Sequence, residues 1–169
     1  MSIADAVLME WDQEMAATRA VLERVPDDKV AWQPHEKSMT LGRLASHVAE
    51  LPGWAGLTLA TDEFDVNPPG AEQTTGANLG SRSEILGLFD ESSAAGREAI
   101  AHAADAVFDD PWTLKSGGEA VFSAPKAGVL RRFVLNHMIH HRGQLTVFLR
   151  LCDVPVPQTM GPTADEPDF

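Results

Sequence analysis

Residues 130–152 read LRRFVLNHMIHHRGQLTVFLRLC, and the spacing of their apolar members sets the fold. Leu130, Phe133, Val134, Met138, Leu145, Phe148 and Leu149 recur at intervals of three and four, the mark of one helix with one buried stripe. At about 100° per residue, His137 and His141 fall near the middle of that stripe and His140 well off it. Imidazoles on a core-facing stripe are costly unless their nitrogens are satisfied. Side chains at i and i+4 are neighbours on one face, so a shared metal ion would satisfy both. Two separately hydrogen-bonded core histidines are the alternative. Met138 follows His137, so the glutamate base of an HExxH metalloprotease is missing.

Outward from this helix, the other segments are helical too. Residues 3–25 place Ile3, Val7, Trp11, Met15, Leu22 and Val25 along one side, ending before Pro26-Asp27-Asp28. In the loop VAWQPHEKSMT, Pro34 favours extended chain, and Trp32 reads as a core plug or a pocket wall. Ser38 or Thr40 caps a second helix over residues 40–60, with Leu41, Leu44, Val48, Leu51 and Trp54 on its apolar side and His47 among them. Three histidines on the apolar faces of two helices have the makings of a site, against three separate core histidines. A third helix over residues 81–107 opens on the capping box Ser81-Arg-Ser-Glu84, with His102 at its surface or boundary.

Between helices, residues 61–80 carry prolines and glycines and read as a long loop, neither strand nor helix, serving as a lid or an exposed excursion. Residues 111–125, PWTLKSGGEAVFSAP, form either a small hairpin about Ser116-Gly117-Gly118 or an extended crossover. With no strand–helix alternation, the expected class is all-α, a four-helix bundle with long crossover connections over residues 1–152. The tail, residues 153–169, is proline-rich and acidic and drapes over the bundle or a partner subunit.

Composition narrows the function classes. A chain of 169 residues is one domain with a real core, and a net charge of −12 argues against nucleic-acid binding, which needs clustered cations. No apolar run reaches membrane-spanning length, and the N-terminus lacks the pattern of a signal peptide. Cys152 is the only cysteine, so no internal disulfide forms, and a cytoplasmic setting is expected. At the end of an apolar helix its thiol is expected to be buried and inert.

Two stretches, AWQPHEKSMTLGRLASHVAEL and NHMIHHRGQLTVFLRLCDVPVPQTMGP, resemble the DinB-like superfamily of four-helix-bundle proteins, the second being the more specific. The resemblance implies a divalent metal, commonly zinc or nickel, held by His47, His137 and His141. It assigns no ligand role to His140, whose angle turns it to a boundary or supporting position. Gln144 lies near the histidine stripe, as a contact to substrate or bound water or as a plain packing contact. Arg142 points elsewhere, to a structural or interface ion pair. A small-molecule substrate and a homodimer are further expectations; Trp11, Trp32, Trp54 and Phe148 are pocket or core.

Three neutral imidazoles leave an ion with an open position. Such a site lowers the pKa of a bound water for hydrolysis, or holds a small thiol as thiolate for attack on an electrophile. The superfamily's thiol-dependent transferases and isomerases, which use bacillithiol or mycothiol, imply the second. Glu50, about 60° from His47 around the helix, is the only carboxylate near a ligand in sequence and is expected to face solvent. Lack of a base then tilts the reading toward thiol transfer over hydrolysis. A non-catalytic metal- or ligand-binding module is the third reading.

Overall fold

The computed structural model describes residues 2–71 and 76–168; residues 72–75 of the expected 61–80 loop, and Phe169 of the tail, lie outside the described residues. Helix α1 (Ile3–Leu22) opens on a reciprocal capping box in which Ser2 and Asp5 each accept the other's backbone N–H. Helix α2 (Leu41–Glu50) is capped by Thr40, and α4 (Arg82–His102) by Ser81 through the amide of Glu84. Helix α7 (Asn136–Leu151) completes the set. Helices α1 and α2 each pack on both α4 and α7, so α1 stands diagonal to α2 and α4 diagonal to α7. Diagonal partners that follow one another in sequence need long connections. The all-α bundle with crossover connections is the fold observed.

Three expected spans are interrupted, each where a local constraint competes with helical periodicity. The second helix breaks at Leu51–Gly53, a 3-10 turn containing Pro52, and resumes as α3 (Trp54–Ala60). Proline has no N–H to continue the ladder. The third helix ends at His102, where Ala103 turns extended; a short α5 (Asp105–Asp109) follows, burying Phe108. There Asp105 accepts the amide of Ile3, tying the start of α1 to this connection. The last helix begins early as α6 (Lys126–Val129) and passes through a π-helical stretch, Leu130–Leu135, before α7. π turns of this kind interrupt helices frequently at functional sites.

The connections also form a sheet. The hairpin of β2 (Pro111–Ser116) and β3 (Glu119–Pro125) turns on Gly117 and Gly118, both at positive φ. The reading of residues 61–80 as neither strand nor helix is corrected: Glu63–Asp65 forms β1, parallel to β2, with Phe64 opposite Leu114. A three-residue strand is too short to show a period, and the hairpin supplies its pairing partner from far along the chain.

The core runs between the four long helices, through Trp11, Leu22, Leu44, Leu51, Ile85, Phe89, Ile100, Met138, Leu145 and Leu149. Gly96 on α4 lets the Pro52 bend approach: a Cβ there would lie 2.6 Å from the Pro52 carbonyl oxygen and 2.7 Å from the Trp11 ring. Arg142 is buried and pairs with Glu14 at 2.7 Å, with a further bond to Thr18 Oγ1 at 3.1 Å. Its structural role is thus internal, clamping α7 to α1. The tail lies over the bundle itself. Val156 is buried, Arg150 pairs with Asp165, and Arg24 holds Glu166 at 2.9 Å. Cys152 is buried, and its thiol is pushed up by burial, the state of an inert cysteine.

Candidate metal centre

His47 reaches the site from the last turn of α2, and His137 and His141 from successive turns of α7. Nε2 of His137 lies 2.9 Å from Nε2 of His141 and 3.4 Å from Nε2 of His47. One ligand atom from each of the three falls within 4.8 Å of the others, a group that can hold a metal ion. His47 is buried and the other two are half-buried. The three residues singled out by periodicity are therefore brought together by the fold.

What occupies the outer nitrogens decides the chemistry of the inner ones. Nδ1 of His47 lies 2.6 Å from a carboxylate oxygen of Glu50, and Nδ1 of His141 lies 2.7 Å from Oε1 of Gln144. Nδ1 of His137 lies 3.3 Å from the carbonyl of Phe133, within the π-helical stretch. All three partners are acceptors, so each neutral ring carries its proton on Nδ1 and turns the Nε2 lone pair inward. Lone pairs facing one another at these distances repel unless a cation lies between them. Nitrogens held at about 2.0–2.1 Å from one ion are about 2.9–3.4 Å apart at bond angles of about 90–110°. The His137–His141 and His137–His47 separations lie at the two ends of that range, and with one ligand atom of each ring within 4.8 Å of the others the group can hold a divalent ion.

Electrostatics keep the rings ready to bind. Burial, then the neighbouring His141 and His47, push His137 down from 6.5 to about 4. His141 is also lowered, by burial first, against a raising hydrogen bond to Gln144. Neutral imidazole is the ligating form, so no proton has to leave His137 or His141 at neutral pH.

Glu50 corrects the expectation of a solvent-facing carboxylate. Its side chain is 19% exposed, and residues 76–79 fold over it. The amide of Ala77 donates to Glu50 at 2.9 Å, Arg43 donates to the carbonyl of Ala77, and the amide of Leu79 donates to Ser46. Burial pushes the Glu50 carboxyl up, but the bonds from His47 and Ala77, with Arg43 nearby, outweigh it and hold the group below its ordinary range. A residue some 30 positions away in sequence supplies this cover, which no helical wheel reports. Gln144 supports His141; His140 is exposed, with its ring 4.9 Å from that of His141.

Two cavities flank the cluster. The larger, about 430 Å³, lies between the helices and the sheet and has His47 and Glu50 in its wall with Trp54, Trp112 and Phe133. The smaller, about 250 Å³, is walled by His141, Gln144, Phe148, Leu44, Met39 and Ser38. Of the four aromatic candidates, Trp54 and Phe148 line cavities and Trp11 is core. Trp32 is a plug, its ring edge-on to Phe148 at 5.6 Å. Trp112 and Leu114 were not anticipated as lining; their alternation along β2 is the signal that marks them.

Fold and site together define a helical-bundle protein with a three-histidine centre between its second and last long helices. The chain belongs to the DinB family, whose model matches residues 1–168. It is 25% identical over 162 residues to the uncharacterized protein YrdA of Bacillus subtilis (strain 168), covering 96% of this chain and 90% of that one. Its fold is similar to that of a DinB-like protein from Bacillus cereus ATCC 10987, with a TM-score of 0.70 at 22% identity over 93% of this chain and 97% of the other. A DinB-like protein from Bacillus subtilis, YjoA, has a TM-score of 0.68 at 14% identity over 91% and 97%.

Proposed function

We propose that the chain is a divalent-metal protein, with zinc or nickel on His47, His137 and His141, that transfers a low-molecular-weight thiol to an electrophilic small molecule. The observation that carries this is the convergence of the three histidine rings, each with a hydrogen-bond acceptor at its Nδ1. An ion bound there supplies Lewis acidity and an open position for a small donor. Three neutral ligands cancel none of its charge, which favours a donor that arrives as an anion, such as a thiolate.

The surrounding residues favour thiol transfer over hydrolysis. Glu50, the carboxylate nearest the rings, is turned to the outer nitrogen of His47 and is engaged by Ala77. It orients a ligand and is not free to take a proton from a water at the inner face. The same reading includes a cytoplasmic setting and a homodimer. Among the described residues no helix is long and apolar enough to cross a membrane. Val147 and Leu151, one turn apart on α7, are more than half exposed and offer an apolar contact.

The test pairs several low-molecular-weight thiols with an electrophilic dye, beside ester and amide substrates. Turnover that needs both thiol and metal and vanishes in His137→Ala supports thiol transfer. Ester or amide turnover without thiol replaces it with hydrolysis, and silence in every arm replaces it with a binding module.

A further inference from the structure

The larger cavity has a character that the histidines do not explain. Trp54 and Leu57 of α3, Phe64 of β1, Trp112 and Leu114 of β2, and Phe133 of the π-helical stretch make its apolar wall. Trp54 is 37% exposed, Phe64 41% and the adjoining Val66 51%, and all three line this cavity. Among the described residues no other part of the chain covers their surface, as at a binding site.

Charge narrows the occupant. The polar end consists of Arg43, Glu50 and His47, and their charges are matched internally. Arg43 lies 3.5 Å from Glu50 and donates to the carbonyl of Ala77; Glu50 also serves His47 and Ala77. The indole N–H of Trp112 is spent on Thr61 at 3.1 Å. Among the described lining residues no side-chain cation is left for a carboxylate, phosphate or sulfonate, and the open position of an ion on the histidines is assigned to the thiolate. Such a group would lose its water without a partner. Flat aromatic ligands match a wall of indole and phenyl rings.

We propose that this cavity binds a neutral, flat aromatic small molecule, and that this molecule is the electrophile of the reaction; only the second half rests on the thiol-transfer reading. His47 belongs both to the cavity wall and to the three-histidine cluster, so the bound molecule lies beside the centre.

The experiment uses a matched pair of fluorescent probes on the metal-loaded full chain. N-phenyl-1-naphthylamine is neutral, and 8-anilinonaphthalene-1-sulfonate has the same rings with an added anion. The neutral probe is expected to bind at least about tenfold more tightly and to quench tryptophan fluorescence. Leu114→Asp is expected to weaken the neutral probe by a similar factor, and Val121→Asp, exposed on β3 outside the cavity, to leave it unchanged. If circular dichroism shows Leu114→Asp unfolded, Val66→Asp takes its place. Equal or tighter binding of the sulfonate, or neutral-probe binding unchanged in the folded cavity variant, overturns the inference. Metal content is measured on the same samples. Metal without probe binding overturns the cavity assignment alone; probe binding in wild-type protein that takes up no metal overturns the metal reading alone.

Discussion

Glu50→Gln changes one charge at almost constant volume, and the structure fixes what that charge does. Glu50 accepts from His47 Nδ1 at 2.6 Å with one oxygen and from the amide of Ala77 at 2.9 Å with the other. Glutamine has one acceptor oxygen for these two donors. Either His47 meets an amide NH₂, which cannot accept its Nδ1 proton, or the Ala77 amide loses its partner. A hydrogen bond to a charged group contributes about 1.5–3 kcal/mol, and removing the outer partner of a ligating histidine costs about 10–100-fold in metal affinity. The two scales agree, since tenfold is about 1.4 kcal/mol. Competition against a chromophoric chelator at neutral pH should therefore show zinc or nickel affinity lower by about 10–100-fold in Glu50→Gln. The circular dichroism spectrum should be unchanged. Gln144→Ala, whose bond to His141 is neutral and exposed, should cost less. Affinity within about twofold of wild type in a Glu50→Gln variant whose urea stability is also unchanged, so that neither donor has lost its partner, would refute the assignment of Nδ1 protonation on His47, and with it the inward lone pair.

Metal at about 1,000 times its dissociation constant adds about 4 kcal/mol of stability, or roughly 10 °C in Tm for a chain of this size. Chelator should abolish that increment in wild type, and His137→Ala should lack it; a Tm indifferent to metal counts against the centre. In metal-free protein, His137 titrates near 4 when folded, whereas an unperturbed imidazole titrates at 6.5. The unfolded chain binds the extra proton between those values, so the associated stability is complete above about pH 6.5 and is lost as pH falls toward about 4. The ceiling is about 3 kcal/mol, reduced by solvent around the half-exposed ring. Urea midpoints should show wild type losing stability relative to His137→Gln from pH 7 to 4.5, and a constant difference would contradict the buried neutral ring. Arg142→Met leaves Glu14 buried without its partner and should destabilise by about 3–5 kcal/mol. Adding Glu14→Met should restore much of that, and denaturation of the double variant that shows no recovery would remove the clamp from the account.

The sequence carried the fold class and the three histidines of the cluster for one reason. Helical periodicity is a local property, and His47, His137 and His141 interrupt apolar stripes that a reader can phase without coordinates. Breaks in those stripes were less legible. Pro52 marks one of them, but the turn at Ala103 and the π-helical stretch at Leu130–Leu135 have no residue that announces them. The parallel strand Glu63–Asp65 exists only because the distant hairpin offers it an edge.

The surroundings of the site belong to tertiary structure altogether. On an isolated α2, Glu50 points to water; in the folded chain residues 76–79 cover it, and desolvation with a salt-bridging Arg43 turns it into the partner of His47. The aromatic cavity likewise draws its walls from a helix, two strands and a π turn separated by up to 79 positions, from Trp54 to Phe133. The sequence alone determined which side chains could ligate and which faces were buried, because both follow from spacing along one helix. Which nitrogens point inward, what holds them there and what space adjoins them were decided by contacts between segments, and those depend on packing that no single segment encodes.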